Sequence, residues 1–410
     1  MFTPTHDPKF LKDCYTSLLA QSYDDWEWVI LVNGGASLED CWFPDPRVLA
    51  LYPPEALFNL KGVGEAKRLA VAACKGDLLV ELDHDDILHP DCLAKLAKFR
   101  RWNPDASLFY SDSAQINEDL TPNMDQWSAE YGWVYHKDGD RIFPATPDPY
   151  PHNVSWIYYA PNHVRAFTRK AYDAVGGYNP DLTICDDQDL MCRLYQQGPF
   201  IGIDDCLYYQ RVHPGMSQKT YNADIQVKTE ELYEKYIEDV AMAWSRRKRL
   251  VNLELGAAHN SVGKGYIPVD LALGTEVFKY LWSLDDDSVG VIRAVDFLEH
   301  IPDKVALFNE FYRVLAHGGM LLSMTPSTDG RGAFQDPTHV AFYNENSFWY
   351  FTDPNYAKYV PEIKCKFQVS SLKSMFPGEF ERINHIPYVQ ANLIAIKDGP
   401  RQGGILKWEP

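Results

Sequence analysis

The sequence predicts an α/β protein of two domains, the first built on a mainly parallel sheet covered by helices. Three observations carry this. Short apolar runs alternate with segments of helical periodicity, the rhythm of βαβ units. The rhythm stops near residue 245 and resumes at residue 250, after the basic run Arg246-Arg247-Lys248-Arg249. The 410 residues are 46% hydrophobic, and that length predicts two or three domains. A boundary between residues 244 and 250 gives domains over 1–245 and 246–410.

In chain order, Trp26–Val32 reads as a buried strand and Gly64–Cys74 as a helix. Leu78–Leu82 is a short buried strand, followed by the acidic turn Asp83-His84-Asp85-Asp86. Pro90–Arg101 reads as a helix and Ser107–Tyr110 as a strand. Residues 120–155 are rich in Pro, Asp, Trp and Tyr without periodicity, which predicts a long insertion or active-site loop. A helix is expected over 223–245. The second domain reads as strands over 250–255, 266–271, 289–295 and 319–324, a helix over 303–316, and an edge strand over 390–397.

Bulk properties narrow the function. A net charge of −18 argues against a polymeric nucleic-acid partner, because binding a phosphate backbone needs clustered cations. A nucleotide held through a metal remains compatible with it. The eight cysteines form no CxxC pair, so a zinc knuckle or dithiol site is not expected. No apolar stretch is long enough to span a bilayer. Met1–Thr5 lacks the pattern of a signal peptide, so the expected compartment is the cytoplasm.

The acidic turn is the first candidate site. Ligands of open α/β sheets bind outside the carboxyl ends of the strands. Two carboxylates one residue apart there can meet a divalent ion and a ribose hydroxyl. Taken alone, the same residues describe a solvated turn. Their flanks add a pattern: Phe2-Thr3-Pro4-Thr5, then Leu18-Leu19-Ala20-Gln21-Ser22-Tyr23, then Val29–Gly35 with Asn33, then Gly62–Arg68. After the acidic turn come Gly176-Gly177-Tyr178, Asp186-Asp187-Gln188-Asp189-Leu190 and Tyr209–Gly215 with His213.

This ordered set, spanning residues 2 to about 220, closely resembles the family 2 glycosyltransferases of the GT-A fold. The resemblance implies a nucleotide-diphosphate sugar donor, UDP first, with Mn²⁺ or Mg²⁺, and inverting transfer to a glycan or other hydroxyl acceptor. It places Thr3, Pro4 and Asn33 at the nucleobase, Thr5 among the donor-binding residues, Asp83 on ribose or metal, and Asp85 on metal. His213 becomes a further metal ligand or diphosphate contact, and His84 positions the turn beside the donor. Lys67 and Arg68, where the family often has Asn, are candidate diphosphate contacts. Asp187 becomes the general base, with Asp186 beside it crowding like charges and raising one pKa. Helix N-termini also favour acidic residues, which is the plain alternative for Asp186 and Asp187.

Residues 250–397 resemble the class I S-adenosylmethionine-dependent methyltransferases, which implies a Rossmann-like second domain. The matching segments are Asp296-Phe297-Leu298-Glu299-His300-Ile301 and Tyr312–Leu321 with Gly318-Gly319. Gly256, Asp270 and Asp296 are the candidate methyl-donor-binding residues, and S-adenosylmethionine the candidate cofactor. The glycine loop is degraded to Leu255-Gly256-Ala257-Ala258, and 14 residues from Gly256 to Asp270 are too few for a crossover helix. The domain is therefore either a reduced methyltransferase or one that has lost its cofactor. Asp336-Pro337-Thr338-His339 and Asn344–Trp349 read as a polar-aromatic loop that binds acceptor or is purely structural. Three readings stay open: a sugar transferase that also methylates the glycan, a methyltransferase with a sugar-binding first domain, and a glycosyltransferase with a non-catalytic interaction domain.

Overall fold

The computed structural model describes residues 1–398 except 40, 54–59, 61, 126–132, 217–219 and 259. The chain divides into two compact units, Met1–Pro149 with Asn153–Val240, and Tyr150–His152 with Ala241–Pro410.

In the first unit β1 (Phe2–Thr5), β2 (Trp28–Val32) and β3 (Val48–Leu51) form a parallel three-stranded sheet. The run Trp-Val-Ile-Leu-Val of β2 is buried on both faces, as expected of a central parallel strand. Thr5 pairs with Val32, so both strands end together and bring Thr5 and Asn33 to one edge. A second sheet runs in the order β4 (Leu78–Val80), β9 (Arg165–Thr168), β6 (Leu108–Ile116), β10 (Phe200–Arg211), β5 (Ile87–Leu88). Here β6 and β10 are parallel and the other neighbours antiparallel. A parallel bridge from Phe2 to Glu81 brings the end of β4 beside β1.

Among the described residues, the helices up to Lys248 include α1 (Leu11–Leu19), α2 (Val63–Ala73), α3 (Cys92–Trp102), α4 (Pro151–Ser155), α5 (Arg169–Ala174), α6 (Asp186–Gln197) and α7 (Asn222–Lys248). Leu11, Cys14 and Leu18 of α1 pack with Trp28, Ile30, Val80, Leu82, Phe109 and Tyr208 into one core. Glycine places α2: a Cβ on Gly64 would lie 2.4 Å from the Asn179 carbonyl oxygen, and one on Gly62 would lie 2.5 Å from Thr183 Cα. Only glycine lets the start of α2 press against the segment leading into α6.

The expected insertion or active-site loop contains regular structure. β7 (Tyr135–Asp138) and β8 (Arg141–Pro144) pair as an antiparallel hairpin turning at Gly139, whose φ is +57°. β7 is mostly solvent-facing, and of β8 only Phe143 is buried, so no apolar alternation marks them.

The second unit holds one six-stranded sheet in the order β12 (Ile267–Val269), β11 (Val251–Leu255), β13 (Val289–Val295), β14 (Leu315–Pro326), β16 (Tyr388–Ala395), β15 (Phe367–Met375). The pairs from β12 to β14 are parallel; those of β16 are antiparallel. Its helices include α8 (Val277–Trp282), α9 (Lys304–Val314), α10 (Gly332–Gln335) and α11 (Glu345–Thr352). As the spacing requires, β11 reaches β12 with no intervening helix among the described residues. The C-terminal strand is not an edge. β16 lies between β14 and β15, and Val389, Ala391, Leu393, Ile394 and Ala395 are fully buried. β15 is the edge on that side, and its Gln, Ser and Lys residues mask its strand character although Gln368, Ser370 and Ser371 are buried. Among the described residues no helix is long and apolar enough to cross a membrane.

Candidate functional site

The acidic turn leaves β4 and is held from below. Cys14 Sγ lies 3.0 Å from the Asp86 carbonyl oxygen and 3.3 Å from that of His84. Arg211, fully buried at the end of β10, donates from Nε to the Asp85 carbonyl at 2.7 Å and from its terminal nitrogens to the Glu118 carbonyl and Asp13. Its backbone N–H donates to Asp86 Oδ1 at 2.7 Å. Asp86 is thus a structural member of the turn, its carboxyl pushed well up by burial. His84 packs edge-on against His6 with centroids 5.0 Å apart, and burial lowers its pKa.

Asp85 and His213 converge, with Asp85 Oδ2 2.8 Å from His213 Nε2. The Gly215 N–H donates to His213 Nδ1 at 3.2 Å, so in the neutral ring the proton sits on Nε2 and points at Asp85. For His213 to ligate a cation through Nε2, that Gly215 contact has to open. Asp83 turns elsewhere: its Oδ2 is 3.5 Å from His163 Nε2, and its N–H donates to the Tyr208 hydroxyl. Burial raises the Asp83 carboxyl to about 7, with Glu81 and Asp85 adding repulsion against the pull of Lys67.

Beneath this edge lies a network of charges. Lys67, Glu81, Arg165 and Asp186 are all buried. Lys67 Nζ pairs with Glu81 and lies 3.1 Å from Asp186 Oδ2. Arg165 Nε is 3.1 Å from Glu81 Oε2, and its terminal nitrogens reach Asp187 Oδ2 at 2.7 Å and His163 Nε2 at 2.6 Å. His163 accepts from Arg165 and stays neutral, its pKa lowered to about 3 by burial and by that cation. Two neighbouring aspartates thereby diverge. Burial raises Asp186 to about 6 despite Lys67. Burial also opposes ionisation of Asp187, but Arg165 and Lys67 outweigh it and hold that carboxyl below its ordinary range. The expected raised pKa therefore falls on Asp186. Asp187 is the one whose side chain reaches solvent, at 21% exposure against 5%.

The remaining donor candidates separate. Thr3 is fully buried, donating to the Leu82 carbonyl at 2.7 Å and accepting from Trp28 Nε1 at 2.8 Å, which commits its hydroxyl to the fold. The Thr5 hydroxyl donates to the Asp7 carbonyl, and Pro4 is half-buried. Asn33 stands at the shared end of β1 and β2, and its buried Oδ1 has no hydrogen-bond partner. Lys67 is consumed by the charge network, and exposed Arg68 donates to the Tyr178 carbonyl at 3.4 Å, so the two adjacent cations do not act as a pair. Glu81, His163 and Arg165 were missed in the sequence. The available signal was a charged residue inside the apolar strand runs Leu-Leu-Val-Glu-Leu and Val-Arg-Ala-Phe.

In the second unit, Gly256, Asp270 and Asp296 end three adjacent strands. Gly256 has φ +74°, and a Cβ there would lie 3.0 Å from that of Phe297. Ala258 takes φ +44° without glycine's freedom. Asp270 accepts from the Ala258 N–H at 3.1 Å and caps Ala272 at 2.6 Å, so both oxygens serve the turn. Glu254, two residues before the glycine, pairs with Arg293 at 2.8 Å and holds Ser261 and Val262 with its other oxygen. Asp296 is exposed, with φ +49°.

Comparison with known proteins matches these two halves. Residues 2–156 match Glycosyl transferase family 2, and residues 257–323 match a Methyltransferase domain. Chondroitin synthase of Escherichia coli is 28% identical over 225 residues, taking in 53% of this chain and 29% of the synthase. An N-acetylglucosaminyltransferase of Bradyrhizobium elkanii is 31% identical over 118 residues, 28% of this chain and 64% of that protein. The chain thus spans under a third of the length of the synthase. The S. aureus TarS fragment 1–349 in complex with UDP-GlcNAc superposes with a TM-score of 0.44 at 12% identity, covering 60% of this chain and 72% of that one.

Proposed function

We propose that this chain, a glycosyl transferase family 2 domain joined to a methyltransferase-type domain, is an inverting glycosyltransferase that takes its sugar from a nucleoside diphosphate, UDP first, and passes it to a glycan hydroxyl. The observation that carries this reading is the meeting of the acidic strand end with the start of α6 through Lys67, Glu81 and Arg165. Through it, buried ion pairs link the end of β4 to Asp186 and Asp187. The unpartnered Asn33 Oδ1 is an acceptor suited to the ring N–H of a nucleobase.

Mn²⁺ or Mg²⁺ binds through one or two carboxylates and shares phosphate oxygens, which suits Asp85 at the turn; Asp83, facing His163, has to swing round to join it. Asp85 is the residue assigned to hold it, with Asp83 shared between ribose and ion and His213 joining once Gly215 releases Nδ1. Such an ion, when bound, neutralises charge on the leaving diphosphate. Asp187 takes the acceptor proton. Held ionised by Arg165 and the more exposed of the pair, it supports the base role better than Asp186. Asp186 balances Lys67. The sugar-transfer domain is assigned to residues 1–245, the second domain to 246–410.

The test is Mn²⁺-dependent turnover of UDP-sugars. The Asp187→Asn variant is expected to lose about 10²–10⁴-fold in kcat while binding donor as before; full-rate transfer by that variant would remove the base assignment. A second reading concerns residues 246–410. Because Asp270 and Glu254 are spent on their own loops, this domain serves as an interaction unit rather than a methylating one. Calorimetry with S-adenosylmethionine decides it: binding heat restores glycan methylation as the domain's role.

A further inference from the structure

We propose that Glu299, His300 and His339 form a site for one divalent transition-metal ion in the second unit. One nitrogen of each ring and a Glu299 oxygen lie within 4.8 Å of one another. Glu299 and His300 follow the carboxyl end of β13, and Thr325 stands near that of β14, the edge where ligands bind in open α/β sheets. The loop carrying His339 is fastened there, since the Val340 and Ala341 N–H groups both donate to the Glu299 carbonyl at 2.9 Å.

Each donor is oriented. Glu299 is buried, and its Oε2 accepts from the Thr325 hydroxyl at 2.7 Å. Its Oε1 faces His339 Nε2 at 3.9 Å, too far for a hydrogen bond. His339 Nδ1 lies 3.1 Å from the Ala333 carbonyl, so Nδ1 holds the proton and Nε2 presents its lone pair toward Glu299. A metal-binding imidazole is oriented in the same way, its other nitrogen donating to a carbonyl. His300 is set by Thr338, whose hydroxyl lies 3.2 Å from its Nδ1, and the two rings meet edge to face at 5.0 Å. A cation bonds imidazole nitrogen and carboxylate oxygen at about 2.0–2.2 Å, so atoms 3.9 Å apart can share one ion. Among the described residues no Lys or Arg pairs with Glu299, so a bound cation would balance its buried carboxylate. Two imidazoles and one carboxylate favour Zn²⁺, Fe²⁺ or Co²⁺ over Mg²⁺ and leave positions open for a further oxygen ligand.

The full chain, carrying Asp85→Ala to silence the first unit's assigned ion site, would be dialysed against Co²⁺ and its metal content and visible ligand-field bands measured. One retained ion per chain with imidazole-type bands is expected. His339→Ala and, independently, the more exposed His300→Ala should abolish the bands while circular dichroism stays that of the parent. An Asp85→Ala chain that retains no Co²⁺, or bands unchanged in both histidine variants, would overturn the proposal.

Discussion

Glu81→Gln removes one charge from the centre of the network and keeps the side-chain shape. Glu81 touches two buried cations, Lys67 directly and Arg165 at 3.1 Å, and accepts from the Tyr178 hydroxyl at 3.3 Å. Removing one partner of a buried ion pair destabilises by about 3–5 kcal/mol. Here neither cation is stranded, because Lys67 keeps Asp186 at 3.1 Å and Arg165 keeps Asp187 at 2.7 Å. The lower end, about 3 kcal/mol, is therefore expected, which lowers Tm by about 6–12 °C for a unit of this size. The cations hold the Glu81 carboxyl far below the usual carboxylate range in the fold, against the opposing effect of burial. Its stabilisation is then complete above the unfolded pKa of 4.5 and fades as pH falls toward the folded value. Thermal denaturation at pH 7 and near pH 3 should show a wide gap between the parent and Glu81→Gln that narrows in acid. Glu81 also repels Asp186, so Asp186 should ionise more readily in the variant. Equal melting temperatures at pH 7 would refute the account of the network.

Arg165→Met takes away the cation that depresses Asp187, so the acid limb of the kcat/KM profile should move to higher pH; an unmoved limb in a folded variant would separate Asp187 from the base role. Gly64→Ala places a methyl 2.4 Å from the Asn179 carbonyl oxygen and is expected to lower Tm and weaken donor binding together, both read by thermal shift with and without UDP. Arg211→Met leaves the acidic turn without its clamp on the Asp85 and Glu118 carbonyls, so the Mn²⁺ affinity measured by calorimetry should fall while the second unit is unaffected.

Much of this was legible in the sequence because it is local. Trp28–Val32 and Val289–Val295 are apolar runs of strand length, and the acidic turn directly follows such a run. The glycines at 62 and 64 mark a close approach that the structure supplies. What stayed hidden was long-range or lacked a periodic signature. Glu81 meets Arg165, 84 positions away in the chain, through pairing of strand ends that no spacing rule encodes. The hairpin buries only Phe143, so it shows no apolar alternation, and β15 is an edge whose polar residues mask its strand character. The divergence of Asp186 and Asp187 depends on which cation each one meets, so adjacency alone named the pair without deciding which member is raised.

The central claim is that the turn after β4 holds a nucleoside diphosphate through a divalent ion at Asp85. Thermal shift with UDP, with and without Mn²⁺, on the parent and on Asp85→Ala tests it directly, since a ligand that binds only the folded state raises the midpoint. A rise in the parent that requires Mn²⁺ and disappears in Asp85→Ala is predicted. A rise of equal size in both proteins, or in neither, would contradict it.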